Sequence, residues 1–189
     1  MDNGASSYRR FLDGDDNGII EIVNNYKDGL ILYLNGYVNN IFIAEELTED
    51  TFFRLITKKP KFSGKSTFKS WLYAIGRNIA VDYIRHNSKM LIAPVEDFEN
   101  HLTEVQSLEE SYIKEERKII VHKALCKLMP EYRNVLWLVY FENFSNKETA
   151  IVLKKSERQI KNLLYRAKKS LKSKLEKEGF ENEEFWWNG

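Results

Sequence analysis

The chain has 189 residues, 43% of them hydrophobic, and its 29 basic side chains nearly cancel its 28 acidic ones. That length suits one domain or two small ones, and no apolar run approaches the roughly 18 residues of a membrane span, so no insertion into a bilayer is expected. A single cysteine, Cys126, rules out an internal disulfide and points to a reducing cytoplasm; His86, His101 and His122 stand at no ligand spacing with it, so no metal or other cofactor is expected. Residues 1–16 lack the apolar stretch of a signal peptide. The near-zero net charge hides a segregation. Residues 1–57 carry ten acids and four bases, 58–89 eight bases and one acid, 90–117 eight acids and two bases, and 161–174 only bases among their charges. Two basic blocks with an acidic spacer between them suit two separate contacts with a polyanion.

Helical periodicity runs through almost the whole chain, and Pro60, Pro94 and Pro130 each fall at a break in it. The expected fold class is all-α: two small helical domains joined by a flexible linker, the second containing a helix-turn-helix. The first domain is expected over 1–88. Its first helix reads from Asp16 to Asn35, with Ile19, Ile22, Val23, Tyr26, Leu30, Tyr33 and Leu34 as its apolar face and Gly36 as its end. A second, from about Ile43 to Thr57, buries Ala44, Leu47, Thr51, Phe52 and Leu55. After the loop 58–66, a third helix from Thr67 to about Asn87 buries Phe68, Trp71, Leu72, Ile75, Ile79 and Tyr83. Trp71 is a tempting stacking wedge, but its spacing to Ile75 assigns it to the core. Periodicity fades over 89–106, the acidic linker. The second domain, 107–178, opens with Leu108, Tyr112, Ile113, Ile119, Ile120, Ala124, Leu125 and Leu128 as apolar positions. Pro130 then starts a helix at the first-turn position where proline fits. The tail 179–189 sets Trp186 and Trp187 among acids, and either docking or disorder suits it.

Within the second domain two serine-led helix starts lie eleven residues apart, Ser145-Asn146-Lys147-Glu148 and Ser156-Glu157-Arg158-Gln159. Each reads as a capping box, the serine holding the N–H three residues on and Glu148 or Gln159 reaching back. One helix of about two turns, roughly 12 Å, fits between them. A longer basic helix follows to about Glu176. A short capped helix, a tight turn and a basic capped helix form a DNA-reading helix-turn-helix. Ala150 permits the close crossing, and Thr149, Leu153, Ile160 and Leu163 hold it. Arg158, Lys161, Asn162, Tyr165 and Arg166 project from the outer face. Those near Ser156 suit base edges in the major groove, while Arg166, Lys168, Lys169 and Lys172 suit phosphates. Lys154 stands where such turns usually carry glycine, at a cost of about 1 kcal/mol if its backbone is left-handed.

Three stretches, in this order, resemble the sigma factors of bacterial RNA polymerase, of the small extracytoplasmic-function type. They are Ala44-Glu45-Glu46-Leu47-Thr48-Glu49-Asp50-Thr51-Phe52, the block from Phe62 to Arg85, and Leu128-Met129-Pro130-Glu131-Tyr132-Arg133 with the helix-turn-helix. The resemblance covers about residues 8–178. It implies a chain that directs core polymerase to promoters through the minus-ten and minus-thirty-five elements and aids strand opening. It further implies that Glu45, Glu46, Leu47, Glu49 and Asp50 meet the clamp coiled coil of the polymerase, with the flap as a second contact. Glu49 departs from a commonly found glutamine, and an ordinary solvated acidic face is the alternative. Ser63, Gly64, Lys65, Ser66, Thr67, Lys69, Arg77, Asn78 and Arg85 are implied to meet the minus-ten element, Asn78 matching a position that bonds a flipped base. Small donors and a glycine that admits close backbone approach suit the capture of unstacked bases. Asp82 is read as a helix-face partner of Arg85 or Arg77. Arg158, Lys161, Asn162, Tyr165, Arg166 and Lys169 are the minus-thirty-five set. Family members are commonly held by an anti-sigma factor, a further implied partner. The acidic linker fits a connector threading a basic channel of the polymerase, or equally a plain tether.

No nucleophile with a neighbouring base, phosphate-cradling loop or metal cluster marks an enzyme. The competing readings are a self-sufficient helix-turn-helix repressor or activator, which needs a dimerising or sensory first half, and a nonspecific RNA binder.

Overall fold

The computed structural model describes residues 3–87, 124–125 and 127–177. The expected linker 89–106, the apolar positions from Leu108 to Ile120, His101, His122, Cys126 and the Trp186–Trp187 tail lie outside the described residues. Among the described residues the regular elements are helices: α1 (Asn3–Leu12), α2 (Asn17–Val38), α3 (Ile41–Lys58), α4 (Phe68–Asn87), α5 (Pro130–Tyr140), α6 (Asn146–Leu153) and α7 (Glu157–Lys177).

Helix α2 is the axis of the first group, packing against α1, α3 and α4. Its Ile22, Leu30, Tyr33 and Leu34 are buried, as are Ala44, Leu47, Thr51, Phe52 and Leu55 of α3 and Phe68 and Leu72 of α4. Each large apolar side chain buried this way contributes about 1.5–3 kcal/mol. The Asn40 side chain caps α3 by accepting from the Ile43 N–H at 3.2 Å. Trp71 is half-buried in a ring cluster with Tyr8, Phe62 and Phe68, the core position its spacing indicates.

Two features depart from the expected pattern. Helix α1 is one the periodicity does not announce, because ten residues containing Gly4, Ser6 and Ser7 carry few apolar side chains. It is held by tertiary contacts: Tyr8 and Phe11 are buried, and the Tyr8 hydroxyl donates to the Pro60 carbonyl at 2.8 Å. Burial pushes the Tyr8 phenol up to about 12. Helix α2, moreover, does not end at Gly36. It continues to Val38 and closes through Asn39, whose left-handed backbone (φ 51°) returns its N–H to the Asn35 carbonyl. Gly36 serves packing instead, since a β carbon there would lie 2.2 Å from the Asn134 Oδ1 of α5.

The second group packs α5 against α7 and α6 against α7. Pro130 occupies the first turn of α5, and Val135, Leu136 and Leu138 are buried. The groups touch through α4 with α6 and α2 with α5. Tyr73 of α4 meets Phe144, edge to face, at 5.3 Å.

Candidate nucleic-acid interfaces

Both serine caps form. The Ser145 hydroxyl accepts from the Glu148 N–H at 3.2 Å, and Glu148 accepts the Ser145 N–H at 2.9 Å. Ser156 and Gln159 repeat the pattern at 3.2 and 2.8 Å. The turn between the helices passes through Lys154 at φ 53°, ψ 47°, the left-handed conformation expected there. Ala150, Thr149, Leu153, Ile160 and Leu163 are buried at the crossing.

Helix α7 sorts its residues cleanly. Ile160, Leu163, Leu164, Ala167, Leu171 and Leu175 face inward. Arg158, Lys161, Asn162, Tyr165, Arg166 and Lys169 are all exposed, at a spacing that makes one continuous stripe. Tyr165 is 70% exposed. A large ring left that open beside cations is placed to touch something outside the chain.

The minus-ten set lies on the loop before α4 and on α4 itself. Gly64 takes φ 72°, with nothing within 4 Å of where a β carbon would stand, and Ser63, Lys65 and Thr67 around it are exposed. Arg77 and Asn78 are half-buried one turn beyond Trp71. They line a cleft of about 440 Å³ with Arg54, Pro60, Trp71, Ile75, Val81, Asp82 and Lys154. Arg85 is exposed and paired with Asp82 at 3.3 Å, one of the two partners the sequence offered. Arg77 also faces Tyr37: burial raises that phenol above its usual range, while the Tyr33 hydroxyl, Arg77 and Asn134 pull it back.

Two members of this set are engaged by the second group. Lys69 Nζ lies 2.7 Å from a carboxylate oxygen of Glu142, whose side chain is fully buried, and donates to the Glu142 carbonyl at 3.0 Å. The Trp137 indole N–H donates to the same carboxylate at 3.1 Å. The Thr67 hydroxyl donates to Glu148 at 2.8 Å. Burial opposes the charge of Glu148, but hydrogen bonds from Ser145 and Thr67 and the field of Lys69 hold its carboxyl below the usual range. Glu142 is the residue the sequence did not single out. Its one local signal is its place between Phe141 and Phe144.

On α3, Glu46, Glu49 and Asp50 are exposed and Glu45 is half-buried. Leu47, expected on the same face, points into the core at 3% exposure, because it shares the buried stripe with Ala44 and Thr51. Its place outside is taken by Phe53, 64% exposed, and Ile56, 43% exposed, neither of which was expected. Among the described residues no three His, Cys, Asp or Glu side chains converge as a metal site, and no helix is long and apolar enough to cross a membrane.

Comparison with known proteins places these surfaces. The Sigma-70 region 2 family matches residues 22–90 and Sigma-70, region 4 matches residues 118–171, about two thirds of the chain together. The chain is 25% identical to RNA polymerase sigma factor YlaC of Bacillus subtilis over 160 residues, covering 84% of this chain and 92% of that protein. It is 27% identical to the ECF RNA polymerase sigma factor SigM of the same organism over 155 residues, 82% and 93% of the two chains. Its fold matches CnrH, solved in complex with the cytosolic domain of CnrY, at TM-score 0.61 and 18% identity over 93% of this chain and 96% of that one. It also matches the sigma factor RpoE of Bartonella quintana, solved with the anti-sigma factor NepR, at TM-score 0.61 and 20% identity over 82% and 95%. With both sigma regions present in order and full-length relatives of one kind, this chain belongs to the sigma-70 family, as an extracytoplasmic-function sigma factor that takes part in promoter recognition and transcription initiation by RNA polymerase.

Proposed function

We propose that this sigma factor divides promoter recognition between two surfaces of a cytoplasmic, non-catalytic protein. Residues 107–178 form the duplex-reading domain, residues 1–88 the polymerase- and strand-binding domain, and 89–106 the tether that sets the spacing. Arg158, Lys161 and Asn162, nearest the capped start of α7, contact bases of the minus-thirty-five element, and Tyr165, Arg166 and Lys169 hold its backbone. The loop from Ser63 to Thr67, with Lys69, Arg77, Asn78 and Arg85, receives the unpaired minus-ten strand, and the cleft around Asn78 is sized for a base. Glu45, Glu46, Glu49 and Asp50 offer carboxylates to the basic clamp coiled coil of core polymerase, with Phe53 beside them as an apolar anchor. The flap contacts the second domain. An anti-sigma factor is proposed as a regulator, the similarly folded RpoE having been solved with one.

The observation that carries this reading is the exposed stripe of α7, six side chains long and opposite a fully apolar face. Gel filtration of the chain with core polymerase, followed by run-off transcription from a library of promoters, tests it. Co-elution with start-site choice is the expected result. Tight duplex binding without co-elution supports a free-standing regulator instead and overturns the proposal.

A further inference from the structure

The contact between the two helical groups is built rather than glancing. Glu142 brings a fully buried carboxylate to Lys69, and its backbone carbonyl accepts from the same ammonium. A buried carboxylate is tolerated only where charges and hydrogen bonds compensate it. Lys69 also lies over the Phe144 ring at 5.3 Å. On the other side, the buried Arg133 guanidinium donates to the Gly36 carbonyl at 2.9 Å and reaches Asn39 at 3.4 Å, where the end of α2 favours a cation. The three atoms nearest a β carbon at Gly36 all belong to Asn134 and Arg133 of α5, so the missing side chain makes room for the second group alone.

This contact covers one recognition surface and spares the others. Thr67 and Lys69 are held by Glu148 and Glu142, and Lys154, from the turn between α6 and α7, stands at the cleft that contains Arg77 and Asn78. The α7 stripe and the acidic residues Glu46, Glu49 and Asp50 stay exposed. We infer that the second helical group is a built-in competitor of the promoter strand: in this closed state its carboxylates occupy the side chains that would hold unpaired DNA, and capture requires the α4–α6 contact to open. The inference rests on the strand-capture reading of Thr67, Lys69 and Asn78. A closed chain remains free to meet polymerase and duplex, so opening follows docking.

The test uses the full chain without polymerase, with small-angle scattering and the binding of a fluorescein-labelled single-stranded DNA of mixed sequence. Glu142→Gln keeps the acceptor for Trp137 but removes the charge facing Lys69. Gly36→Gln puts a side chain into the gap between α2 and α5 while suiting the helix it sits in. Both variants are expected to enlarge the radius of gyration and to tighten strand binding about ten-fold, the factor for a chain roughly nine-tenths closed. Lys69→Ala added to Gly36→Gln should take that gain away. Expanded variants with no gain in strand binding, or a wild type already as extended as the variants, overturn the inference. Failure of the underlying reading looks different: Thr67→Ala and Asn78→Ala would then leave promoter opening by reconstituted polymerase at the wild-type rate, whatever the scattering shows.

Discussion

The two basic surfaces of this sigma factor are built in opposite ways. The α7 stripe lies on one helix, fixed by a cap at Ser156 and an apolar face from Ile160 to Leu175, and its outward side chains owe little to the rest of the chain. The surface around Thr67, Lys69 and Asn78 is assembled from a loop and a helix, and two of its members are held by carboxylates seventy and more positions away in sequence. A surface made by one element is presented at all times. A surface whose side chains serve two partners is available only when the other partner leaves.

The largest expected effect breaks the shared side. Glu142→Ala strips Lys69 and the Trp137 indole of a buried acceptor and should lower stability by about 3 kcal/mol, read from urea unfolding. Lys161→Ala, on the exposed stripe, should leave unfolding within about 0.5 kcal/mol of wild type. A similar loss from both would erase the contrast. Next comes duplex binding. Lys161→Ala and Arg166→Ala should each weaken binding to the minus-thirty-five duplex, by about 1–3 kcal/mol where a base contact is lost, without changing co-elution with polymerase. Unchanged promoter occupancy in footprinting would move recognition elsewhere.

A smaller effect sharpens the case that the helix-turn-helix is locally determined. Ser156→Ala should cost about 1 kcal/mol through loss of the cap. Lys154→Gly should return a similar amount by relieving the left-handed backbone. The smallest effect is in pH. The Glu148 carboxyl titrates below its unfolded value, so its stabilisation is complete above the ordinary carboxylate range and fades as pH falls through the lowered value. Unfolding followed on acidification should show that loss, and Glu148→Gln should flatten it.

The same distinction explains what could be read from the amino acids. The caps, the left-handed Lys154 and the inward and outward faces of α7 follow from spacings of three and four residues, and all were legible. Helix α1 was not, because its stability lies in contacts of Tyr8 and Phe11 with distant rings rather than in its own pattern. Gly36 was misread as a helix end, since a glycine that admits a neighbouring helix looks like one that ends its own. Leu47 was carried to the surface with its acidic neighbours, although its three- and four-residue relations to Ala44 and Thr51 mark it as core. Nothing local pairs Glu142 with Lys69; only the packed chain does.

The Trp137 indole lies flat on Phe141, their ring centres 4.4 Å apart and their planes within 6°, while its N–H holds the carboxylate that faces Lys69. Indole emission responds to the charge and hydration beside its nitrogen. A version keeping this tryptophan and replacing the rest therefore carries its own optical gauge, in which colour and brightness follow the departure of α4 in real time, with no dye attached.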